Sequence, residues 1–167
     1  MFYFEVQSAE SEIKNPNMGI GYCTLGASGL DYPGWPPRSR APSTRSWAYH
    51  GDDGAFFDGG GHGVGDYRLP YNSGDVVGCG VDLEKGVIWC TRNGERLKTE
   101  FEGVKGRLFP VVGMVDRVEL MTNFGEQKFK WEDWYRVAGI RLEEEATVPN
   151  PVVKQDETQA VAGAEPE

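Results

Sequence analysis

The stretch GDVVGCGVDLEKGVIWCTRNGERL, residues 74–97, constrains the fold more than any other part of the sequence. Apolar side chains recur at every second position from Val77 to Leu83, which places them on one face of an extended strand. A Glu-Lys-Gly turn at 84–86 leads to a second strand-like run at 87–91. Asn93-Gly94 then supplies the two positive-φ residues that a tight type I′ turn needs. The stretch therefore predicts two successive antiparallel hairpins.

Short strand-like runs separated by turns continue through most of the chain. They occupy residues 2–6, 18–24, 47–49, 55–57, 108–114 and 117–124. Residues 129–136 fit either one helical turn or a closing strand. The chain holds 23 glycines and 10 prolines, and no helical periodicity lies between the runs. This pattern predicts a single all-β domain, a sandwich or a barrel.

The acidity of the chain is concentrated in its C-terminal tail. The net charge is −9, and residues 143–167 hold seven acids against one lysine. The tail therefore carries −6 and the remaining 142 residues only −3. We expect a folded domain over 1–137 and an acidic, disordered tail over 138–167.

The composition excludes several classes of partner. An acidic domain has no general attraction for nucleic acid or anionic lipid, and the short basic cluster of Arg38, Arg40 and Arg45 is interpreted as solubilising loop charge. No apolar run approaches the roughly 18 residues of a membrane span, and no signal peptide is expected at MFYFEVQ. We therefore expect no nucleic-acid partner and no membrane partner. Three cysteines without a CxxC motif are predicted to be free thiols of a reducing compartment: Cys23, Cys79 and Cys90.

Residues 46–66, SWAYHGDDGAFFDGGGHGVGD, gather side chains that ligate metals or move protons. A metal-binding or hydrolytic protein is the alternative function of a different class, with these candidates: His50, Asp52, Asp53, Asp58 and His62. The stretch lacks the alternating oxygens and final glutamate of an EF-hand, and the lysine of a P-loop. A strand–turn–strand fits better, because Asp caps backbone N–H groups and Gly accepts positive φ. We expect no metal, no cofactor and no catalytic residue.

The chain resembles a SPRY (B30.2-type) domain over roughly residues 2–130, in motifs that follow the family's order: FYFEV, MGIGY, PGW, SWAYHGDDGAFF, GDVVGCGVDLEKGVIWCTRNG, LFPVVGM and NFG. The YHGDDG form, with PGW upstream, is most similar to the Ran-binding-protein-M group. The resemblance implies a bent β-sandwich of two antiparallel sheets, like the concanavalin jelly roll. It further implies non-catalytic recognition of other proteins by loops at one end, and a place as recognition or scaffold part of a ubiquitin ligase complex.

Two further expectations come from this resemblance. Family members usually carry one or two strands before FYFEV, so an open sheet edge is expected where those strands would lie. A related group of secreted effectors shares the YHGDDG form. The expected location is the cytoplasm or the nucleus, with a secreted effector whose signal peptide has been removed as the alternative.

The resemblance also selects the residues expected to bind a short linear segment of a partner protein. Loop aromatics would act as anchors, and arginines would pair with carboxylates of the segment. The candidates come from four parts of the chain: Thr24, Tyr32, Trp35 and Arg38; Tyr49, Asp52, Asp53 and Phe56; Tyr67, Arg68 and Tyr71; Met114, Asp116 and Arg117. Three other aromatics, which alternate inside predicted strands, are expected in the core: Trp47, Phe57 and Trp89.

Overall fold

The computed structural model describes residues 1–24, 32–36, 45–60, 63–65 and 69–140 of the chain. These residues form ten strands and one short helix. The strands are β1 (Phe2–Ser8), β2 (Met18–Thr24), β3 (Ser46–His50), β4 (Phe56–Phe57), β5 (Gly63–Val64), β6 (Val76–Asp82), β7 (Val87–Arg92), β8 (Glu95–Phe101), β9 (Leu108–Met114) and β10 (Leu120–Asn123). The helix is α1 (Asp133–Val137), so the helical alternative for residues 129–136 is the one observed.

The strands build two five-stranded sheets in which all neighbours are antiparallel. Sheet A has the order β10-β1-β6-β7-β8, and sheet B has the order β5-β4-β3-β2-β9. Both sheets turn one apolar face inward, and the two faces share a single buried cluster that includes Phe4, Val77 and Ile88 of sheet A with Ile20 and Tyr49 of sheet B. The predicted fold class, a sandwich of two antiparallel sheets, is confirmed.

Both predicted hairpins between residues 74 and 97 are present. Strand β6 pairs with β7 from Val77–Arg92 to Asp82–Val87, and Asn93 and Gly94 have φ of 51° and 86° in the turn to β8. Leu83 differs from the prediction: it is 44% exposed and lies beyond the end of β6. The strand ends because the Asp82 carboxylate accepts the backbone N–H groups of Glu84 and Lys85 at 3.1 Å and starts the turn.

A second apolar cluster covers the outer face of sheet A. Tyr3 and Trp89 project outward from β1 and β7, and the segment that ends in α1 lays Phe129, Trp131 and Trp134 over them. The rings of Tyr3 and Phe129 are 4.9 Å apart, and those of Tyr3 and Trp134 are 5.3 Å apart. Trp89 is therefore buried as predicted, although it lies outside the space between the sheets.

The buried carboxylate of Glu5 fixes this covering segment to β1. Its Oε1 accepts the Trp131 backbone N–H at 3.0 Å and the Tyr3 hydroxyl at 2.9 Å, while Oε2 accepts the Lys130 N–H at 2.9 Å. A buried charge is tolerated only where hydrogen bonds replace the lost water. Glu5 is 5% exposed, so these three donors supply that replacement.

The expected open edge is only partly observed. Strand β1 is an inner strand, because β6 flanks it over Phe2–Gln7 and β10 flanks it over Glu5–Ser8. Among the described strands, only β6 pairs with the Phe2–Phe4 part of β1. The Phe124 ring stacks on the Phe4 ring at 5.6 Å near this part of the strand, while Phe2 stays 63% exposed.

Glu5→Gln is expected to lower the free energy of unfolding by about 1–3 kcal/mol, because an amide nitrogen would face backbone N–H donors that now meet carboxylate oxygens. Urea unfolding followed by tryptophan fluorescence measures this change. Glu12→Gln is the matched control, since Glu12 is exposed and should cost less than about 0.5 kcal/mol. Equal effects of the two substitutions would show that the Glu5 network does not stabilise the fold.

Candidate functional site

The alternation of small and large residues in β2 prepares sheet B to accept a covering segment. Met18, Ile20 and Tyr22 point into the core, while Gly19 and Gly21 lie on the outer face. A Cβ built on Gly21 would lie 1.8 Å from the Trp47 carbonyl oxygen, so only glycine fits there. At Gly21 the outer face of β2 therefore lies against the backbone of the neighbouring strand β3.

Residues 32–36, which we call the strap, cross the outer face of sheet B. Pro33 lies over β9 so closely that a Cβ on Gly113 would be 2.2 Å from the Pro33 Cδ. Gly34, with φ of 83°, lies over β4, where a Cβ would be 2.7 Å from that of Phe57. The strap can lie against the sheet because both contact points lack a side chain.

Hydrogen bonds hold the strap in place along its length. The Pro33 carbonyl meets His50 Nε2 at 2.7 Å, and because a carbonyl only accepts, this nitrogen carries the proton. The Gly34 N–H donates to Ser46 Oγ at 2.8 Å, and the Gly34 carbonyl accepts the Gly59 N–H at 2.9 Å. The next residue, Trp35, stacks on Phe57 with ring centroids 6.0 Å apart and is 49% exposed. The strap therefore presents an exposed indole on a fixed backbone.

His50 is enclosed beneath the strap. Its ring centroid is 4.3 Å from that of Phe57 and 4.7 Å from that of Tyr32, and the residue is 2% exposed. Burial lowers the pKa of His50, although the Pro33 hydrogen bond and the nearby carboxylates of Asp52 and Asp53 act in the opposite direction. The neutral imidazole of β3 thus supports the strap from beneath through its hydrogen bond to Pro33.

The 51–54 turn joins β3 to β4 at one end of β2. The Gly51 N–H donates to the Met18 carbonyl, and the Gly54 N–H to that of His50. Asp53 Oδ1 accepts the Ala55 N–H at 2.9 Å, so this carboxylate holds its own turn. Asp52, by contrast, is exposed to solvent. The Asp52 carboxylate is therefore accessible at the surface, whereas the Oδ1 of Asp53 is already hydrogen-bonded within the turn.

The 114–117 turn, between β9 and β10, lies at this same end of β2. The Val115 N–H donates to the Asn17 carbonyl at 2.9 Å, and Asp116 Oδ2 accepts the Asn17 N–H at 2.7 Å. Met114 is 39% exposed and Val115 74% exposed, and Arg117 is also exposed. The strap and both turns thus converge on the residues around Met18.

The Tyr32 hydroxyl is shielded from solvent and has no hydrogen-bond partner among the described residues. Burial raises the pKa of Tyr32, and the nearby carboxylates of Asp52, Asp116 and Asp53 raise it further. This hydroxyl lies where the strap meets the two turns.

Three predicted contact residues have no exposed surface, which corrects their predicted role. Tyr49, Phe56 and Tyr71 are each 0% exposed and belong to the core between the sheets. The Tyr71 hydroxyl donates to the Met18 carbonyl at 2.5 Å, and the Tyr49 hydroxyl donates to the Leu69 carbonyl. Since a partner cannot touch a fully buried side chain, these residues support the site from beneath.

Four other predicted contact residues are not brought to this surface by the described structure, and they form two groups, the first of which is Thr24 alone. Thr24 lies at the opposite end of β2 from Met18, where its Oγ1 accepts the Arg45 N–H at 2.9 Å. The structure therefore does not bring Thr24 together with the two turns. The second group lies outside the described residues: Arg38, Tyr67 and Arg68.

The candidate metal ligands are only partly brought together. His50, Asp52 and Asp53 can place ligand atoms within 4.8 Å of one another. However, the Nε2 of His50 and the Oδ1 of Asp53 already bond to backbone groups of the strap and the turn. Asp58 Oδ1 accepts the Gly60 N–H in a separate turn, and His62 lies outside the described residues. The described geometry supports the interpretation of the stretch as a strand–turn–strand.

The sequence reasoning missed residues that position or extend this surface. Asn17 joins β2 to the 114–117 turn, Pro33 fixes the strap, and Val115 is the most exposed large apolar residue among those described. Two signals could have found them. An apolar pair in a predicted turn, Met114-Val115, indicates a contact surface, and glycines at alternate positions of a strand indicate a segment lying across it.

Comparison with known proteins gives the same family. The family model described as SPRY domain matches residues 1–127. The chain belongs to the SPRY domain family. It is 36% identical over 139 residues to Ran-binding protein 9 of Xenopus tropicalis, covering 81% of this chain and 24% of that protein. It is 30% identical over 132 residues to the Ran-binding protein M homolog of Arabidopsis thaliana, covering 78% and 26%. This SPRY domain is thus similar to the Ran-binding-protein-M group, and the chain spans about a quarter of the length of these relatives.

The fold is shared with a solved SPRY domain. The crystal structure of the SPRY domain of human HERC1 matches with a TM-score of 0.58 and 18% identity, covering 76% of each chain. In the described part of this SPRY domain, no helix is long and apolar enough to cross a membrane.

The pH dependence of stability is expected to reveal the buried neutral His50. The pKa of His50 is lower in the folded chain than in the unfolded chain, so the unfolded state takes up a proton first as the pH falls. Stability should therefore decrease as the pH falls below about 6.5 and level off below the folded pKa. Urea unfolding between pH 7.5 and pH 5 measures this loss.

His50→Gln is the matched variant for this measurement, because its amide can still donate to the Pro33 carbonyl but does not titrate. The difference in unfolding free energy between the native chain and this variant should shrink toward low pH. A difference that stays constant with pH would show that His50 does not lose its proton on folding.

Proposed function

We propose that this SPRY domain binds a short linear segment of another protein across the strap and the 51–54 and 114–117 turns. SPRY domains are protein–protein interaction modules, and the family membership of the chain supports this role. The observation that carries the proposal is the exposed Trp35, held on a strap whose backbone is hydrogen-bonded to the rigid sheet. A large aromatic side chain on a fixed backbone loses little conformational freedom on binding.

The chemistry around the strap supports an extended peptide as the partner. Trp35, Met114 and Val115 offer apolar contacts at the exposed surface of the strap and of the 114–117 turn. The Asp52 carboxylate would accept N–H groups of the segment, while Arg117 would pair with an acidic side chain. Apolar anchors beside a few directed polar groups are typical of recognition surfaces.

Peptide selection on the purified full chain tests this proposal. A random peptide library displayed on phage would be enriched on the immobilised chain, and the enriched peptide would be synthesised with a fluorescent label. Fluorescence polarisation then gives its Kd for the native chain and for Trp35→Ala. We expect the substitution to weaken binding by about tenfold or more, the effect of losing a central aromatic anchor.

Phe2→Ala is the matched control, because it removes an exposed aromatic ring from β1, in the other sheet. Its Kd should equal that of the native chain. If Phe2→Ala weakens binding as much as Trp35→Ala does, or if neither changes it, the strap is not the binding surface.

Gly113→Ala tests the strap as the element that positions the surface. The new methyl group would displace Pro33 without removing any exposed side chain, so the peptide should bind more weakly although Trp35 is intact. Val111→Ala, two residues earlier on the same face of β9, adds no atoms beneath the strap and should leave the Kd unchanged. Equal Kd values for both variants and the native chain would contradict a positioning role.

A role as the substrate-recognition or scaffold part of a ubiquitin ligase complex, in the cytoplasm or nucleus, rests on the similarity to the Ran-binding-protein-M group alone. The tagged full chain, purified from native extract, should bring down ubiquitin-transfer activity when supplied with activating enzyme, conjugating enzyme and ubiquitin. A bead-only purification gives the background. Activity no higher than this background would reject the ligase role without affecting the peptide-binding proposal.

A further inference from the structure

Two cysteines face each other across neighbouring strands in the centre of sheet A. Cys79 of β6 and Cys90 of β7 are directly opposite in register, and their Sγ atoms are 3.0 Å apart. Both side chains are 0% exposed and lie in the core between the sheets. Neither thiol takes part in the proposed peptide surface.

The register gives this pair the geometry that a disulfide needs. Val76 and Asn93 form a hydrogen-bonded pair, because the Asn93 N–H donates to the Val76 carbonyl. Bonded and non-bonded pairs alternate along an antiparallel ladder, so Cys79–Cys90, three steps further on, is a non-bonded pair. Opposite Cα atoms in such pairs are about 4.5 Å apart, within the range that a disulfide spans.

We propose that Cys79 and Cys90 form a reversible cross-strand disulfide when the chain folds in an oxidising thiol–disulfide environment. The third cysteine, Cys23, is on the outer face of β2 and half-buried, so it is not part of the pair. In a reducing compartment the same pair stays as two thiols, with the Cys79 thiol 3.6 Å from the Ile20 carbonyl of sheet B. Oxidation removes this donor and joins β6 to β7 covalently.

The reaction is a two-step exchange with a small disulfide such as glutathione disulfide. One cysteine loses its proton, and its thiolate attacks a sulfur of the small disulfide to give a mixed disulfide and one glutathione thiolate. The second cysteine then loses its proton, and its thiolate attacks the protein sulfur of the mixed disulfide and releases the second glutathione thiolate. Both thiolates take up the two protons. The protein is oxidised by two electrons, and glutathione disulfide is reduced.

Burial determines when this exchange can occur. Burial raises the pKa of the Cys79 thiol, and an oxidant cannot reach a side chain without exposed surface. The first step therefore belongs to the unfolded or opened chain. Folding then brings the second cysteine next to the mixed disulfide. Its thiolate attacks the protein sulfur and releases the glutathione thiolate.

Refolding of the full-length Cys23→Ser chain in a glutathione redox buffer tests the proposal. The reduced, urea-unfolded chain is diluted into buffer containing oxidised and reduced glutathione, and free thiols are then blocked with iodoacetamide under denaturing conditions. We expect an intact mass lower than that of the reduced chain by two hydrogen atoms, with no added label. Dithiothreitol should restore two alkylatable thiols.

Trypsin mapping identifies the bond, because Lys85 lies between the two cysteines. The expected product is a pair of peptides that separate on reduction. Two labelled cysteines, or glutathione retained on either one, in a chain with native far-UV circular dichroism would overturn the proposal.

Cys23→Ser/Cys90→Ser is the matched control, since it keeps Cys79 and has no second thiol to complete the exchange. It should retain glutathione or label and never lose two hydrogen atoms. If this variant does not fold, the mass and peptide map of the Cys23→Ser chain still decide the proposal. Peptide binding enters none of these readouts.

Discussion

The close approach of the strap to the outer face of sheet B is the contact on which the candidate binding surface depends. It exists because the positions beneath it, Gly19 on β2 and Gly113 on β9, have no side chain, so that Pro33 can reach His50. A methyl group at Gly113 would overlap Pro33, and the hydrogen bonds that fix the Trp35 backbone would then move. The orientation of the exposed indole is therefore set by glycines in the sheet below it.

The outer faces of the two sheets are covered by different segments, and this difference determines where the candidate surface lies. Sheet A is covered by Phe129, Trp131 and Trp134, which close it with aromatic contacts and the Glu5 hydrogen bonds. Among the described residues, a five-residue strap covers sheet B and leaves Trp35, Asp52, Met114 and Val115 exposed. A covered face stabilises the domain, whereas a fixed and partly exposed face can recognise a partner.

Local sequence predicted the strands well because their signals are local. The Asn93-Gly94 turn demands two positive φ values, and the alternation in MGIGYCT corresponds residue for residue to β2. The site was predicted less well. Tyr49 and Phe56 looked like rim residues beside an acidic turn, but both are on the inner face of sheet B. Period-two alternation separates the two faces of a strand without saying which one faces the core.

The sequence alone determined the all-β class, the hairpins and the SPRY resemblance, because turn chemistry and period-two patterns act between residues close together in the chain. The tertiary structure decided which side chains are available to a partner. In the folded chain the Tyr71 hydroxyl is buried against the Met18 carbonyl, and Asp116 of the 114–117 turn accepts the Asn17 N–H. The tertiary structure also brought the Cys79 and Cys90 sulfurs together. These outcomes depend on sheet order, strand register and the docking of loops from distant parts of the chain, which no local pattern encodes.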